Sequence, residues 1–119
     1  MRTQVRIPVA ARCKGGVCVT AEAGQALYVE LERRLRQGDH VLLSFAGVEA
    51  LTSAFLNAAL GQLYGKFTAR QLADTLSFAD AEPDDQALLS RVVENAQAYF
   101  ADPDRHRAAR AAALGGADA

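Results

Sequence analysis

The sequence predicts a single α/β domain in which a mixed sheet of four to five strands is covered by three main helices. Residues 40–46 form an almost uninterrupted apolar run, which is typical of a central strand buried on both faces. Three stretches, near residues 21–37, 53–64 and 84–101, repeat apolar side chains at helical spacing. Because strands alternate with helices along the chain, a sheet with helices packed on it is expected.

Composition narrows the class of protein. The chain has 119 residues, of which 50% are hydrophobic, and this favours one globular domain over a disordered segment. Its formal net charge is -1, so the basic excess of a general nucleic-acid binder is absent from the sequence. No apolar run approaches the ~20 residues of a membrane span, and the first residues lack the apolar region of a signal peptide. We therefore expect a cytoplasmic protein that binds neither nucleic acid nor membrane.

The first residues alternate between apolar and polar side chains. Val5, Ile7 and Val9 indicate a half-buried strand, and Pro8 places that strand at an edge or at a bulge. A turn at Gly15 and Gly16 precedes a short strand over residues 17–20. A tight hairpin would turn the buried residues of the two strands to opposite faces, so a longer loop or a bulge is expected between them.

The predicted helices carry recognisable start and stop signals. Thr20 is the expected N-cap of the first helix, which stops at Gly38 and buries Leu27, Leu31 and Leu35. The second helix begins near Thr52 or Ser53 and ends at Gly65.

A third, shorter helix and a final long helix follow. Thr68 and Gln71 have capping-box spacing, and a strand is expected over residues 75–79. Pro83 and the following carboxylates start the last helix, and Pro103 closes it. The predicted core includes Leu43, Phe45, Leu56, Leu60, Leu89 and Val93. The domain is expected to span residues 1–103, with residues 104–119 as a flexible or frayed helical tail and a basic recognition arm as the less favoured alternative.

Few residues in the sequence are candidates for a metal or redox site. Cys13 and Cys18 are separated by four residues, which is not a zinc-knuckle spacing, and we interpret them as structural thiols in preference to a metal or redox site. Asp84 and Asp85 are explained by the helix dipole without a metal. The sequence thus predicts no metal site and no cofactor.

The serine and histidine residues and the glycine motifs of the sequence do not predict catalysis. Ser44 and Ser53 lack the G-x-S-x-G pattern of a nucleophile elbow, and neither His40 nor His106 has an evident serine partner. No P-loop and no G-x-G-x-x-G motif occurs. We therefore predict that the protein is not an enzyme.

Residues 39–57, an apolar strand followed by a short loop and a helix start, resemble the centre of a STAS domain. Residues 55–65 and 88–96 also fit the STAS-like proteins of bacteria and their phages, and the resemblance spans roughly residues 9–100. In bacterial anti-sigma-factor antagonists of this fold, a serine kinase phosphorylates a serine at the helix start. Ser53 stands at that position here. Thr52 replaces the usual aspartate, and Phe55 stands where a glycine is usual, so the chain departs from the standard antagonists.

The resemblance implies a regulatory protein-binding module, similar to an anti-sigma-factor antagonist and switched by phosphorylation at Ser53. The implied partner is a histidine-kinase-like ATPase or an anti-sigma factor. The expected partner-binding residues are Gly47, Val48, Glu49, Thr52, Ser53 and Asn57. Thr52 or Ser53 serving only as a helix N-cap is the simpler interpretation.

Two other functional classes remain open at this point. One is an assembly subunit, for example a homodimer, that self-associates through an apolar helix face and needs no switch. The other is binding of a small ligand or nucleotide, which some STAS domains perform.

Overall fold

Five strands and four α-helices form within residues 4–101, the part of the chain that the structure, a computed structural model, describes. The strands are β1 (Gln4–Pro8), β2 (Val17–Cys18), β3 (His40–Ser44), β4 (Ala50–Leu51) and β5 (Leu76–Ala79). The helices are α1 (Ala21–Arg36), α2 (Ser53–Leu60), α3 (Ala69–Thr75) and α4 (Pro83–Ala101). Short 3₁₀ turns cover Val9–Arg12, Lys14–Gly16 and Gly61–Gly65. The predicted tail over residues 104–119 lies outside the described part.

The strands divide into two small sheets in which every described pairing is parallel. β3 lies between β1 and β5, as the apolar run predicted, while β2 and β4 form a separate pair. The expectation of one mixed sheet is therefore wrong, although the count of five strands agrees. The connections explain the parallel direction. In the chain, α1 lies between β1 and β3, and α2 and α3 lie between β3 and β5, so each connection crosses over and the next strand runs in the same direction.

The glycine turn does not build a hairpin. Gly15 and Gly16 adopt φ values of +59° and +75°, and both lie in the 3₁₀ turn Lys14–Gly16 that precedes β2. The strand that follows is only Val17–Cys18, shorter than predicted, and it pairs with β4 instead of β1. The register conflict of the predicted hairpin disappears because its two strands belong to different sheets.

The larger sheet has one apolar and one polar face. Paired residues of a parallel sheet share a face, and two rows of them face the helices. These rows are Val5, Val41 and Leu76, and Ile7, Leu43 and Phe78. The opposite face carries Arg6, Leu42 and Ser77, of which Leu42 is half-buried and the other two are exposed. On its second face β3 is half-buried at Leu42 and buried at Ser44, so the expected burial on both faces is found only in part, whereas the half-buried edge strand β1 is confirmed.

The helix boundaries follow the predicted caps. The Thr20 hydroxyl accepts a hydrogen bond from the Ala23 N–H at the start of α1. Thr68 and Gln71 form the capping box that their spacing predicted. Pro83 is the first residue of α4, whose first turn contains two aspartates. α2 is shorter than expected, because its last turn tightens into a 3₁₀ turn before Gly65.

Gly24 sets the contact between α1 and α2. A Cβ atom at this position would collide with the backbone carbonyl of Phe55 and would lie 2.9 Å from the Ala58 Cβ. The missing side chain lets the two helix backbones approach closely, so α1 and α2 are held against each other near the start of α2.

The core confirms five of the six predicted residues. Leu43, Phe45, Leu56, Leu60 and Leu89 are buried. Val93 is only half-buried, and its neighbour Val92 is buried in its place. The apolar stripe on α4 is wider than the part of the helix that contacts the core. At 3.6 residues per turn, Leu89, Val92 and Ala96 lie on the side that faces the core.

Candidate partner-binding site

The segment of residues 47–53, called the switch segment here, leaves the sheet at the carboxyl end of β3. The Phe45 N–H donates a hydrogen bond of 2.9 Å to the Ala79 carbonyl, which ties the end of β3 to the end of β5. The Val48 N–H then donates to the Phe45 carbonyl at 3.1 Å, closing a turn in which Gly47 has a φ of +80°. A residue with a side chain would be strained at this φ, so glycine suits the turn.

The switch segment is attached to residues 16–19 along most of its length. The Glu49 N–H donates to the Gly16 carbonyl at 2.9 Å, and the Thr52 N–H donates to the Cys18 carbonyl at 3.2 Å. Between these bonds, β4 pairs with β2. A Cβ atom at Gly16 would lie 2.5 Å from the Gly47 carbonyl oxygen, so the close approach depends on glycine. The short loop expected before α2 therefore contains an anchored strand, β4.

Thr52 is the N-cap of α2. Its hydroxyl accepts a hydrogen bond from the Phe55 N–H at 3.3 Å and donates one to the Val19 carbonyl at 2.9 Å. Ser53 is the first residue of the helix, and its side chain is exposed. Of the two capping alternatives that the sequence left open, the structure selects Thr52. The Ser53 hydroxyl makes no hydrogen bond to another residue in the described part of the chain.

The six predicted site residues lie in the switch segment and in the first two turns of α2. Four of them are exposed: Gly47, Glu49, Ser53 and Asn57. Val48 and Thr52 are half-buried, and Val48 packs against the hydrophobic core. Asn57 lies four residues after Ser53 in α2, so the two side chains share a helix face. The first turn of α2 contains no acidic residue, and its positive end is therefore not neutralised by the helix itself.

A second polar cluster at the carboxyl ends of β3 and β5 was missed by sequence reasoning. Arg6 Nη2 donates to both Ser44 Oγ and Asp80 Oδ2 at 3.0 Å, and the Ser44 hydroxyl donates to the same carboxylate oxygen at 2.8 Å. Asp80 has a φ of +64°, which non-glycine residues seldom adopt. The available signal was Ser44 itself, because a hydroxyl inside an apolar strand needs partners.

Ser44 and His40 lie at opposite ends of β3 and do not contact each other as a catalytic pair would. Ser44 is 1% exposed and is engaged by Arg6 and Asp80. His40 begins β3 and Ser44 ends it, a separation of roughly 13 Å at the rise of a parallel strand. His106 lies outside the described residues.

Residues 4–101 contain neither a cluster of metal-ligating side chains nor a membrane-spanning helix. No group of three or more histidine, cysteine or carboxylate side chains there has the geometry to hold a metal ion. Asp84 and Asp85 lie in the first turn of α4, where the helix dipole accounts for them. None of the described helices combines the length and the apolar character that crossing a bilayer requires.

Open clefts lie away from the switch segment. One of about 470 Å³ is lined by residues that include Tyr64, Phe67 and Phe100. Burial raises the pKa of the Tyr64 hydroxyl there. A neighbouring cleft of about 500 Å³ is lined by residues that include Arg36 and Asp74. Neither cleft is lined by residues 47–53, so a small ligand bound in either of them would not touch the switch segment.

The chain belongs to the STAS-like domains of unknown function (DUF4325), whose family model matches residues 23–86. The match runs from α1 to the beginning of α4, and it contains the central strand, the switch segment and α2. The match confirms the family inferred from residues 39–57 and 55–65. It covers a shorter range than the sequence resemblance suggested, and residues 88–96 lie outside it. The chain has no significant match among curated proteins or among solved structures.

Proposed function

We propose that the protein is a regulatory binding module, similar to an anti-sigma-factor antagonist, whose partner docks on the switch segment and the first turn of α2. Phosphorylation of Ser53 by a histidine-kinase-like ATPase partner is the proposed switch. The observation that carries the proposal is that two neighbouring residues have different roles. Thr52 caps the helix, and Ser53 presents an exposed hydroxyl beside it.

The position of Ser53 suits a phosphate. The first N–H groups of a helix lack intrahelical partners and carry the positive end of the dipole. A phosphoserine adds nearly two negative charges at neutral pH, which the start of α2 would stabilise. The modification would therefore change the charge of the docking surface while leaving the fold intact.

A binding role without catalysis is part of the proposal. Ser44 is engaged by neighbours, and His40 is at the opposite end of its strand. Purified protein should turn over no ester, phosphoester or nucleotide. Turnover that is lost in Ser53→Ala would contradict this.

The self-associating assembly subunit receives less support. Exposed large apolar side chains lie on different elements of the described chain: Val17 on β2, Val29 on α1, Phe78 on β5 and Phe100 on α4. They do not form one apolar helix face, and single exposed apolar residues are ordinary on a protein surface.

The test compares charge at two equivalent helix starts. The partner is first captured from the source cells and identified by mass spectrometry, and Ser53→Asp, Ser53→Ala and Ala21→Asp are then titrated against it. Ala21 is the exposed first residue of α1, behind its own threonine cap, so Ala21→Asp places the same charge on a matched position. Both aspartates should preserve the melting temperature, because each faces a helix dipole.

Only Ser53→Asp should weaken binding, by about tenfold or more. Equal affinity of Ser53→Asp, Ser53→Ala and the wild type would exclude the switch. Equal weakening by Ala21→Asp would mean that net charge, and not the switch segment, controls binding. Incubation with the captured ATPase and ATP should in addition phosphorylate the wild type and not Ser53→Ala.

A further inference from the structure

Three aromatic rings and one lysine line the open cleft of about 470 Å³, here called the aromatic cleft. The 3₁₀ turn Gly61–Gly65 and the two residues after it contribute Tyr64, Lys66 and Phe67, and the last turn of α4 contributes Phe100. The volume of the cleft lies within the range of pockets that hold small molecules, about 300–1,000 Å³.

The backbone of Phe67 is held in place on both sides. The Lys66 and Phe67 N–H groups donate to the carbonyl oxygen of Leu63, at 3.0 and 2.8 Å, and the Leu63 side chain is buried. One residue further on, the Thr68 N–H donates to the Gln71 side chain at 2.8 Å, within the capping box of α3. The fold therefore sets this part of the cleft before a ligand arrives, which lowers the cost of binding.

Gly65 leaves room for the Phe100 ring. A Cβ atom at Gly65 would lie 2.6 Å from Phe100 Cε1 and 2.8 Å from its Cζ. The ring also meets Tyr99 edge-on, with the two ring centres 4.9 Å apart. Phe100 is nevertheless 40% exposed, so part of its ring is open to a ligand. Aromatic side chains attract a planar ring through offset-stacked and edge-to-face contacts.

Lys66 gives the aromatic cleft its charge. Among the described residues that line this cleft, Lys66 alone is charged. It is exposed, and it forms no ion pair within residues 4–101. An unpaired ammonium group among aromatic walls favours a ligand that carries a carboxylate, because hydrogen bonds between charged groups are stronger than those between neutral ones.

The neighbouring cleft of about 500 Å³ is less suited to an anion. It shares Lys66 and Phe67 with the aromatic cleft but also includes Arg36 and Asp74. The Arg36 guanidinium is 2.9 Å from the Glu32 carboxylate, whereas Asp74 has no ion pair in the described part of the chain. The carboxylate of Asp74 would repel a bound acid, so the charges favour the aromatic cleft.

We propose that the aromatic cleft binds a small aromatic acid, a planar ring that carries one carboxylate. The ring packs against Tyr64, Phe67 and Phe100, and the carboxylate accepts a hydrogen bond from the Lys66 ammonium group. Residues 47–53 do not line this cleft, and the proposal does not rest on the proposed function.

The experiment titrates the full chain with 2-naphthoate and follows the backbone amides by NMR. The largest shifts should fall within residues 64–71 and 97–100, which contain the lining of the cleft, and they should saturate. The neutral probe 2-naphthalenemethanol should bind about fivefold more weakly, because it lacks the charge that Lys66 recognises. Cyclohexanecarboxylate, an acid without an aromatic ring, should also bind more weakly than 2-naphthoate.

Variants separate the two parts of the recognition. Lys66→Gln should weaken 2-naphthoate about fivefold and leave 2-naphthalenemethanol unchanged. Arg70→Gln is the matched control, because Arg70 is an exposed cation of α3 that does not line the cleft, and it should keep the wild-type affinity. Phe100→Leu should weaken both aromatic probes about threefold. Thermal unfolding of each variant shows whether a loss of affinity is a loss of fold.

Three results would overturn the proposal. Shifts centred outside residues 64–71 and 97–100 would mean that the probe binds elsewhere. Equal weakening of 2-naphthoate by Lys66→Gln and Arg70→Gln would mean that overall charge attracts the acid. Equal affinity of the wild type for 2-naphthoate and 2-naphthalenemethanol would mean that the cleft is an apolar groove that does not select acids.

Discussion

The Thr52 N–H donates a hydrogen bond of 3.2 Å to the carbonyl oxygen of Cys18. The same residue caps α2 and donates its hydroxyl proton to the Val19 carbonyl. One threonine thus joins three parts of the site: the strand β2, the end of β4 and the first turn of α2.

Thr52→Ala should therefore destabilise the protein more than the loss of an ordinary cap. Thr20→Ala is the matched control, because Thr20 caps α1 with an exposed side chain. We expect a loss of about 1 kcal/mol for Thr20→Ala. Thr52→Ala should lose about 2 kcal/mol, since a second, half-buried hydrogen bond disappears with the cap. Urea unfolding measures both losses, and Thr52→Ser should recover most of the difference. Equal losses would mean that the bond to Val19 contributes nothing.

Gly24→Ala should destabilise the protein, although the same change at an exposed helix position gains up to about 1 kcal/mol. The added methyl group would meet the Phe55 carbonyl and Ala58, and the backbone cannot yield cheaply. We expect a cost of about 1–3 kcal/mol. Gly61→Ala is the control, since Gly61 has helical dihedral angles and no atom within 4 Å of the place that a methyl group would take. It should be neutral or stabilising in thermal unfolding. A stabilising Gly24→Ala would show that α1 and α2 are not in close contact.

Leu43→Ala and Leu89→Ala should each lower the free energy of unfolding by about 2–5 kcal/mol. Both side chains are almost completely buried, one in the central strand and one in α4. Val29→Ala, on the exposed face of α1, should change stability by less than about 0.5 kcal/mol. Chemical denaturation measures all three, and losses below about 1 kcal/mol at both leucines would place the core elsewhere.

Glu30 should contribute stability that is lost in acid. Its pKa is lowered mainly by the bidentate hydrogen bond from Arg12, at 2.8 and 2.9 Å, against an opposing effect of burial. A lowered folded-state pKa stabilises the protein above the ordinary glutamate pKa, and the contribution disappears as the pH falls through the folded-state value. The pair is partly exposed, so we expect at most about 1 kcal/mol at neutral pH.

The pH test compares wild type with Glu30→Gln in unfolding experiments from neutral pH down to about pH 3. The difference in unfolding free energy should be present at neutral pH and vanish in acid. In an Arg12→Gln background, Glu30→Gln should have little effect at any pH. A difference that is independent of pH would contradict the role of the ion pair.

Local signals predicted the helices and the central strand well. Thr20, Thr68 and Pro83 start their helices where their side chains allow, because capping depends on only a few neighbouring residues. The strands β2 and β4 were beyond prediction as a pair. Each has two residues, and their pairing depends on residues far apart in the chain.

The contacts made by the candidate site residues could not be predicted from the sequence. The family resemblance indicated the switch segment, and the exposed Ser53 lies where expected. Periodicity did not reveal that Thr52 caps the helix or that Asp80 joins Arg6 and Ser44. These contacts are set by tertiary packing, which brings together side chains that no local pattern connects.

The parallel pairing of the sheet has a consequence for how the chain acquires its structure during synthesis. Gln4 pairs with His40, and Val41 with Leu76, so neither ladder arises from a local hairpin. During synthesis, β1 cannot pair with β3 until the whole of α1 and β3 have left the ribosome. β5, at the other edge, completes the sheet only near the end of the matched region. Folding is therefore governed by slow, long-range encounters, and the apolar side of β3 stays without its full cover until most of the domain has emerged.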